Sequence, residues 1–183
     1  MKKTFKILAI ALTLCAVFAT CAFASEFDHC ADALNELGLF KGTDKGYELD
    51  REPTRAEAAV MLVRLLGAEK EALSLTYTAP YTDLYDWVKP YVQYLYDRGL
   101  TKGMSETTFG YSEKCTVQQY ATFLLRALGY SDAENGDFEY SEAIDFATEK
   151  GIIYYPDYKF LRDSWVIREF YLQFFKESPH CSP

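Results

Sequence analysis

The strongest constraint on what this chain can fold into is a helix signature that occurs twice. Residues 54–67 read TRAEAAVMLVRLLG and residues 116–129 read TVQQYATFLLRALG. Each opens on Thr, with Glu57 or Gln119 three residues later. That is a capping box, in which the Thr hydroxyl accepts from a helix N–H and the N3 side chain accepts from the N-cap N–H. Pro53 keeps Glu52 out of helical geometry, and Gly67 and Gly129 mark the stops. Between start and stop, Ala58, Met61, Leu62, Leu65 and Leu66 fall at helical spacing and predict one buried stripe. Thr54 pairs with Thr116, Ala59 with Ala121, Leu62 with Leu124, Arg64 with Arg126 and Leu66 with Leu128. Recurrence of cap, stripe and stop predicts a tandem repeat.

The segments ahead of these helices repeat as well. DALNELGL (32–39) runs into Lys41-Gly42, and YVQYLYDRGL (91–100) runs into Lys102-Gly103. Gly38 and Gly99 predict a helix stop, followed by a second Gly-bearing turn. A short loop follows, which Tyr47 and Leu49, or Phe109 and Tyr111, are expected to pin to the core. A weaker third copy reads EAIDFATEKGII (142–153), with Gly151 in the place of Gly38 and Gly99. Phe160-Leu161 then stands in the loop position. A last helix over 166–175 is capped by Asp163 or Ser164, with Glu169 in the place of Glu57. The fold class is therefore mostly α: three helix–loop–helix units at 25–69, 80–131 and 137–177. Linkers fill 68–79 and 131–137, and a loose tail covers 178–183.

Residues 1–24 read as a signal peptide. Lys2, Lys3 and Lys6 precede an apolar run from Ile7 to Val17, and Ala22-Phe23-Ala24 is a cleavage signal. Cleavage is expected after Ala24, with no membrane segment in the chain thereafter. Neither Cys15 nor Cys21 follows the small residue of a lipoprotein site. The chain carries a net charge of −8, and loss of the three leader lysines makes it more acidic. No basic run exists to neutralise phosphates, so nucleic acid is not an expected partner. An anionic ligand must be held by a local basic pocket against a repulsive overall field. Cys30, Cys115 and Cys181 remain after cleavage; one bridge with one free thiol, or three thiols, both fit an odd count.

At this point the pattern resembles the S-layer homology family. That family's repeat opens on an aromatic-x-Asp turn with a Trp shortly after. A helix, a Gly-apolar-x-x-Gly turn and a helix beginning Thr-Arg-Ala-Glu follow. The second unit carries the opening as Tyr81-Thr82-Asp83 and Asp86-Trp87. The first carries the rest as Gly38-Leu39-Phe40-Lys41-Gly42 and Thr54-Arg55-Ala56-Glu57. The resemblance spans the mature chain to about Phe175, and the third unit is degenerate. It implies three units packed as a pseudo-threefold spindle with a central helical bundle. It also implies a secreted, non-catalytic module at the cell wall, binding anionic, pyruvylated secondary cell-wall polysaccharide in grooves between units. A protein cargo or partner subunit is a further candidate partner; no cofactor or metal is implied. The alternative is a protein-interaction or structural module on the same scaffold that has lost glycan binding.

In that family the motif Arg, the opening Asp and the Trp line the groove, which nominates Arg55, Asp83 and Trp87. Gly42 and Gly103 are added as places of close backbone approach. The chemistry fits: a guanidinium fork meets a carboxylate in two bonds, and a helix start offers N–H groups and a favourable dipole. An Asp accepts from sugar hydroxyls, and an indole face stacks on a sugar ring. Each residue also has a plainer role: Arg55 as a solvated Arg at a helix start, Trp87 as core beside Tyr85 and Tyr91, and Thr54 and Glu57 as caps. Arg64 and Arg126 are expected to make structural pairs. Unit two has Val117 in the Arg position, and unit three has Ile167 there, with Arg168 about 100° further around the helix. The opening of unit one, Phe27-Asp28, has no Trp. At most one groove is thus fully equipped, provided that Arg55 and Trp87 share it. His29 and His180 are the only histidines, and no G-x-S-x-G, Walker loop or paired metal-ligand spacing occurs. Acid pairs such as Glu139 and Glu142 are what a chain with 27 acids yields by chance.

Overall fold

The computed structural model describes residues 28–49 and 51–152. Within them lie α1 (Asp28–Glu36), α2 (Arg55–Leu65), the short α3 (Glu69–Ala72), α4 (Lys89–Asp97), α5 (Val117–Ala127), a 3-10 turn (Tyr140–Glu142) and α6 (Ala143–Glu149). The fold is mostly α, as the repeat predicts. The signal peptide, Cys181, His180 and the helix expected over 166–175 lie outside the described residues.

Both capping boxes are formed. Thr54 Oγ1 accepts from Glu57 N at 3.2 Å while Glu57 Oε2 accepts from Thr54 N at 2.8 Å. Thr116 and Gln119 exchange the same two bonds, both at 3.1 Å. The lead-in helices share one ending. Leu39 N donates to Leu34 O, Leu100 N to Leu95 O and Ile152 N to Ala147 O, closing the same wide turn around Gly38, Gly99 and Gly151. The turn at Gly151 thus closes with the same hydrogen bond as those at Gly38 and Gly99.

The stripe predicted on α2 needs correction. Eight of its residues, Arg55, Ala56 and Ala58–Val63, are buried, whereas Leu66 is 39 % exposed. The helix is covered on nearly all sides because it packs against α3, α4 and α5, and α5 in turn packs against α6. A helix enclosed by its neighbours carries small side chains where they approach, which explains Ala56, Ala58 and Ala59. The linker after it is not wholly irregular, since α3 forms with Glu69 and Glu71 in its first turn and Ala72 buried. Further along, the buried Gln93 accepts from the N–H groups of Thr78 and Ala79 at 2.6 and 2.8 Å, fastening the linker to α4. Of the loop residues, Phe109 is fully buried, and Tyr47, Leu49 and Tyr111 pack partly buried against the core.

Arg64 and Arg126 make the expected structural pairs, and these too repeat. Glu69 accepts from Arg64 Nε at 2.8 Å, Lys41 Nζ at 3.0 Å and the Tyr91 hydroxyl at 2.8 Å. Asp132 accepts from Arg126 at 3.0 and 2.5 Å and from Lys102 at 3.2 Å. Burial pushes the Glu69 carboxyl up, but its three donors outweigh that and hold it at about 2. The Arg126 guanidinium, against a smaller burial effect, holds Asp132 at about 2. Both carboxyls lie below their unfolded values near 4, so their contribution is complete above about pH 5 and is lost as pH falls toward 2. We expect the urea midpoint to fall steeply over that acid range. Glu69→Gln should cost about 1 kcal/mol at neutral pH and make the acid limb shallower; an unchanged acid limb in the variant would contradict the assignment.

Candidate functional site

The seam between units one and two builds the site. Thr54 and Lys114 form an isolated antiparallel bridge. Arg55 N donates to Glu113 O at 2.8 Å, Ala56 N to Tyr111 O at 3.4 Å and Cys115 N to Pro53 O at 3.0 Å. The first-turn N–H groups of α2 are therefore taken, by unit two's loop and by Thr54. The helix start does not offer them to an anion, contrary to the sequence expectation. Recognition falls to the side chain.

Arg55 is not a solvated surface residue. It is 3 % exposed, Nε donates to Phe109 O at 3.0 Å, and the guanidinium carbon lies 5.0 and 5.2 Å from the Phe109 and Phe123 ring centroids. Among the described residues no carboxylate neutralises it. Burial lowers its pKa from the ordinary arginine value, yet a guanidinium remains charged at neutral pH. Arg55 lines a cleft of about 330 Å³ with Lys102, Gly103, Gln119, Arg126, Asp132 and Tyr140. A positioned, desolvated and uncompensated cation at a cleft wall is suited to a carboxylate.

Asp83 is placed differently from what its motif implies. Its carboxylate accepts from Phe109 N at 2.8 Å, Gly110 N at 2.8 Å and Tyr111 N at 3.0 Å. Burial acts to raise its pKa, and the three backbone donors more than reverse this, leaving it below the usual carboxylate range. Asp83 thus holds the loop whose Phe109 carbonyl orients Arg55. It is a positioning residue with its acceptors occupied by backbone.

Trp87 and Gly42 lie in another cleft, of about 280 Å³, with Phe40, Lys41, Arg51 and Glu57. Trp87 is 51 % exposed and stands edge-on to Tyr111 at 6.1 Å, so it is not core. Tyr111 also meets Tyr85 at 4.8 Å. The structure therefore joins Arg55 with Gly103 and Trp87 with Gly42, and it does not bring Arg55 and Trp87 together. Both glycines are required by their own loops. A Cβ on Gly42 would lie 2.8 Å from Gly46 O, and one on Gly103 would lie 2.4 Å from Tyr81 Cε1. Sequence reasoning passed over Arg51, Lys102, Gln119 and Tyr140; the recurrence of Lys41 as Lys102, each beside its glycine, was the available signal. Cys115 is a free, fully buried thiol, pushed up to about 12 by burial, and so chemically quiet.

The S-layer homology domain model matches residues 80–116, which include Asp83, Trp87, Gly103 and the loop around Phe109. Residues 80–116 are thus an S-layer homology domain. The chain is 31 % identical over 74 % of its length to the middle cell wall protein of Brevibacillus brevis, and 30 % identical over 74 % to the surface layer protein of Brevibacillus choshinensis. It is also 36 % identical over 46 % of its length to cell surface glycoprotein 1 of Acetivibrio thermocellus. The match covers 14 %, 13 % and 4 % of those proteins' lengths respectively. Within the described residues no helix is long and apolar enough to cross a membrane.

Proposed function

We propose that this chain is a secreted, non-catalytic module that holds to the cell wall by binding an anionic, pyruvylated cell-wall polysaccharide. The units at 25–69, 80–131 and 137–177 are its repeats, and the cell surface is its location, in keeping with relatives named as cell-wall and surface proteins. The observation that carries the reading is the buried Arg55 at a cleft wall, fixed by the Phe109 carbonyl and two aromatic rings and without a counter-charge among the described residues. Such a cation is costly to maintain unless a ligand supplies the charge. A pyruvyl ketal presents one carboxylate on a sugar, which one guanidinium fork can grip in two bonds.

The test is co-sedimentation of the exported chain with protein-stripped walls of the producing organism. We expect the parent to pellet, and Arg55→Lys to bind roughly tenfold or more weakly while still folded, because an ammonium keeps the charge and loses the fork. Arg55→Ala should abolish retention. Retention of both variants at parental level would remove Arg55 from the site. A folded parent that stays in solution would instead favour the protein-interaction module.

A further inference from the structure

Units one and two place a cleft at corresponding positions. The first is lined by Lys41, Gly42 and Thr43, the second by Lys102, Gly103 and Met104. At the N3 position of the capping box the first has Glu57 and the second Gln119. Thr43 and Glu57 are thus exchanged together for Met104 and Gln119, and the exchange brings a thioether and an amide donor into the second cleft. Gln119 Oε1 accepts from Thr116 N at 3.1 Å. That bond fixes the amide and turns Nε2 toward Met104, 3.8 Å from Sδ. Glu57 has no N–H to offer, and its carboxylate is engaged by Arg51 and Thr54.

Met104 is both accessible and held. It is 54 % exposed, whereas Met61 is 5 % exposed, and Met1 belongs to the leader. Met104 N donates to Thr108 O at 2.8 Å, so the turn fixes its backbone. A carbon added at Gly110 would lie 2.7 Å from Met104 Cγ and 3.3 and 3.4 Å from Arg55 Cδ and Nε. The thioether chain and the Arg55 side chain therefore share the space above Gly110.

We propose that Met104 is an oxidation site, whose sulfoxide is held by the Gln119 amide beside Arg55 and loosens the second cleft's grip on an anion. Hydrogen peroxide supplies the oxygen. The sulfur lone pair attacks one peroxide oxygen, and the S–O bond forms as the O–O bond breaks. Sulfur loses two electrons, and the departing hydroxide takes the proton of the transferred oxygen and leaves as water. A thioether sulfur is a weak acceptor, and its sulfoxide is polar. The oxygen end of the new S–O dipole then stands near a guanidinium that has no carboxylate among the described residues, and a carboxylate ligand must compete with it. The effect on anion binding rests on the reading of Arg55 above; the oxidation and its capture by Gln119 do not.

The experiment treats the exported chain with hydrogen peroxide and follows it by peptide mass mapping. Met104 is expected to gain one oxygen roughly tenfold faster than Met61. NMR of the labelled chain should show the Gln119 side-chain amide shifted downfield while the Thr116 amide stays in place. The oxidised chain should be retained on protein-stripped walls roughly fivefold more weakly, as loss of one hydrogen bond implies. Methionine sulfoxide reductases with dithiothreitol should restore it. Met104→Leu is the control, since peroxide should leave its retention at its own starting level and thereby separate Met104 from every other oxidisable group. The proposal is overturned if Met104 and Met61 oxidise alike, if the Gln119 amide does not move, or if peroxide weakens Met104→Leu as much as the parent. Parental retention by the oxidised chain would overturn it as well. If the untreated, folded parent is not retained at all, the anchoring reading falls, and the mass map and the Gln119 shift alone decide the sulfoxide site.

Discussion

Asp83→Asn will lower the unfolding midpoint by roughly 10 °C, corresponding to about 3 kcal/mol for a chain of this size. The carboxylate accepts three backbone N–H bonds at 2.8–3.0 Å from consecutive residues, Phe109, Gly110 and Tyr111. Hydrogen bonds to an ionised group contribute about 1.5–3 kcal/mol each, and an unmet buried donor adds its own desolvation cost. An Asn side chain has one acceptor oxygen, and its amino group would face an N–H. It can satisfy at most part of the set. The damage also reaches the second cleft. Phe109 O holds Arg55 Nε and the Phe109 ring lies against the guanidinium, so wall retention should weaken together with stability. A sugar-binding Asp83 would behave in the opposite way, losing retention with the melting midpoint unchanged. Differential scanning calorimetry beside the wall co-sedimentation separates these outcomes.

What the sequence made legible was whatever is local and repeated. The capping boxes of Thr54 and Thr116, the turns at Gly38, Gly99 and Gly151, and the pairing of Arg64 and Arg126 all lie within about one helix and its flanks. Their chemistry depends on short spacings that a linear pattern records. What stayed hidden lies on the seam between units. Arg55 reads as a groove residue exposed at a helix start, and it is buried because a loop 54 residues away in sequence closes over it. Asp83 reads as a ligand contact, and its acceptors are filled by backbone 26 to 28 residues on. The sequence leaves open whether Arg55 and Trp87 share a groove, and they line separate clefts. A repeat pattern states which positions correspond; it does not state which neighbour each side chain faces. The exchange of Glu57 for Gln119 shows the same boundary. As a cap the two are equivalent, and only the placement of Arg51 against Glu57 gives the exchange an electrostatic consequence.

Gly103→Ala will cost about 3 kcal/mol, whereas Gly38→Ala will cost about 1 kcal/mol, and the contrast isolates packing from backbone strain. The two glycines have nearly the same conformation, φ +69° and +70°. A methyl group on either meets the left-handed penalty of about 1–2 kcal/mol. At Gly38 nothing lies within 4 Å of the added carbon. At Gly103 the carbon would lie 2.4 Å from Tyr81 Cε1 and 2.8 Å from the carbonyl oxygens of Ser105 and Thr108. Those carbonyls belong to a tight turn in which Met104 N and Ser105 N both donate to Thr108 O, so the backbone cannot recede without losing hydrogen bonds. Tyr81 is also confined: it is 3 % exposed and meets Phe109 at 5.8 Å and Tyr96 at 5.7 Å. Displacing it presses on the ring beneath Arg55. Gly103→Ala should therefore reduce both thermal stability and wall retention, while Gly38→Ala should leave retention intact. Equal costs for the two substitutions would show that the turn around Gly103 relaxes freely. Lost retention at unchanged stability in Gly103→Ala would restore the reading in which this glycine makes room for ligand and not for Tyr81.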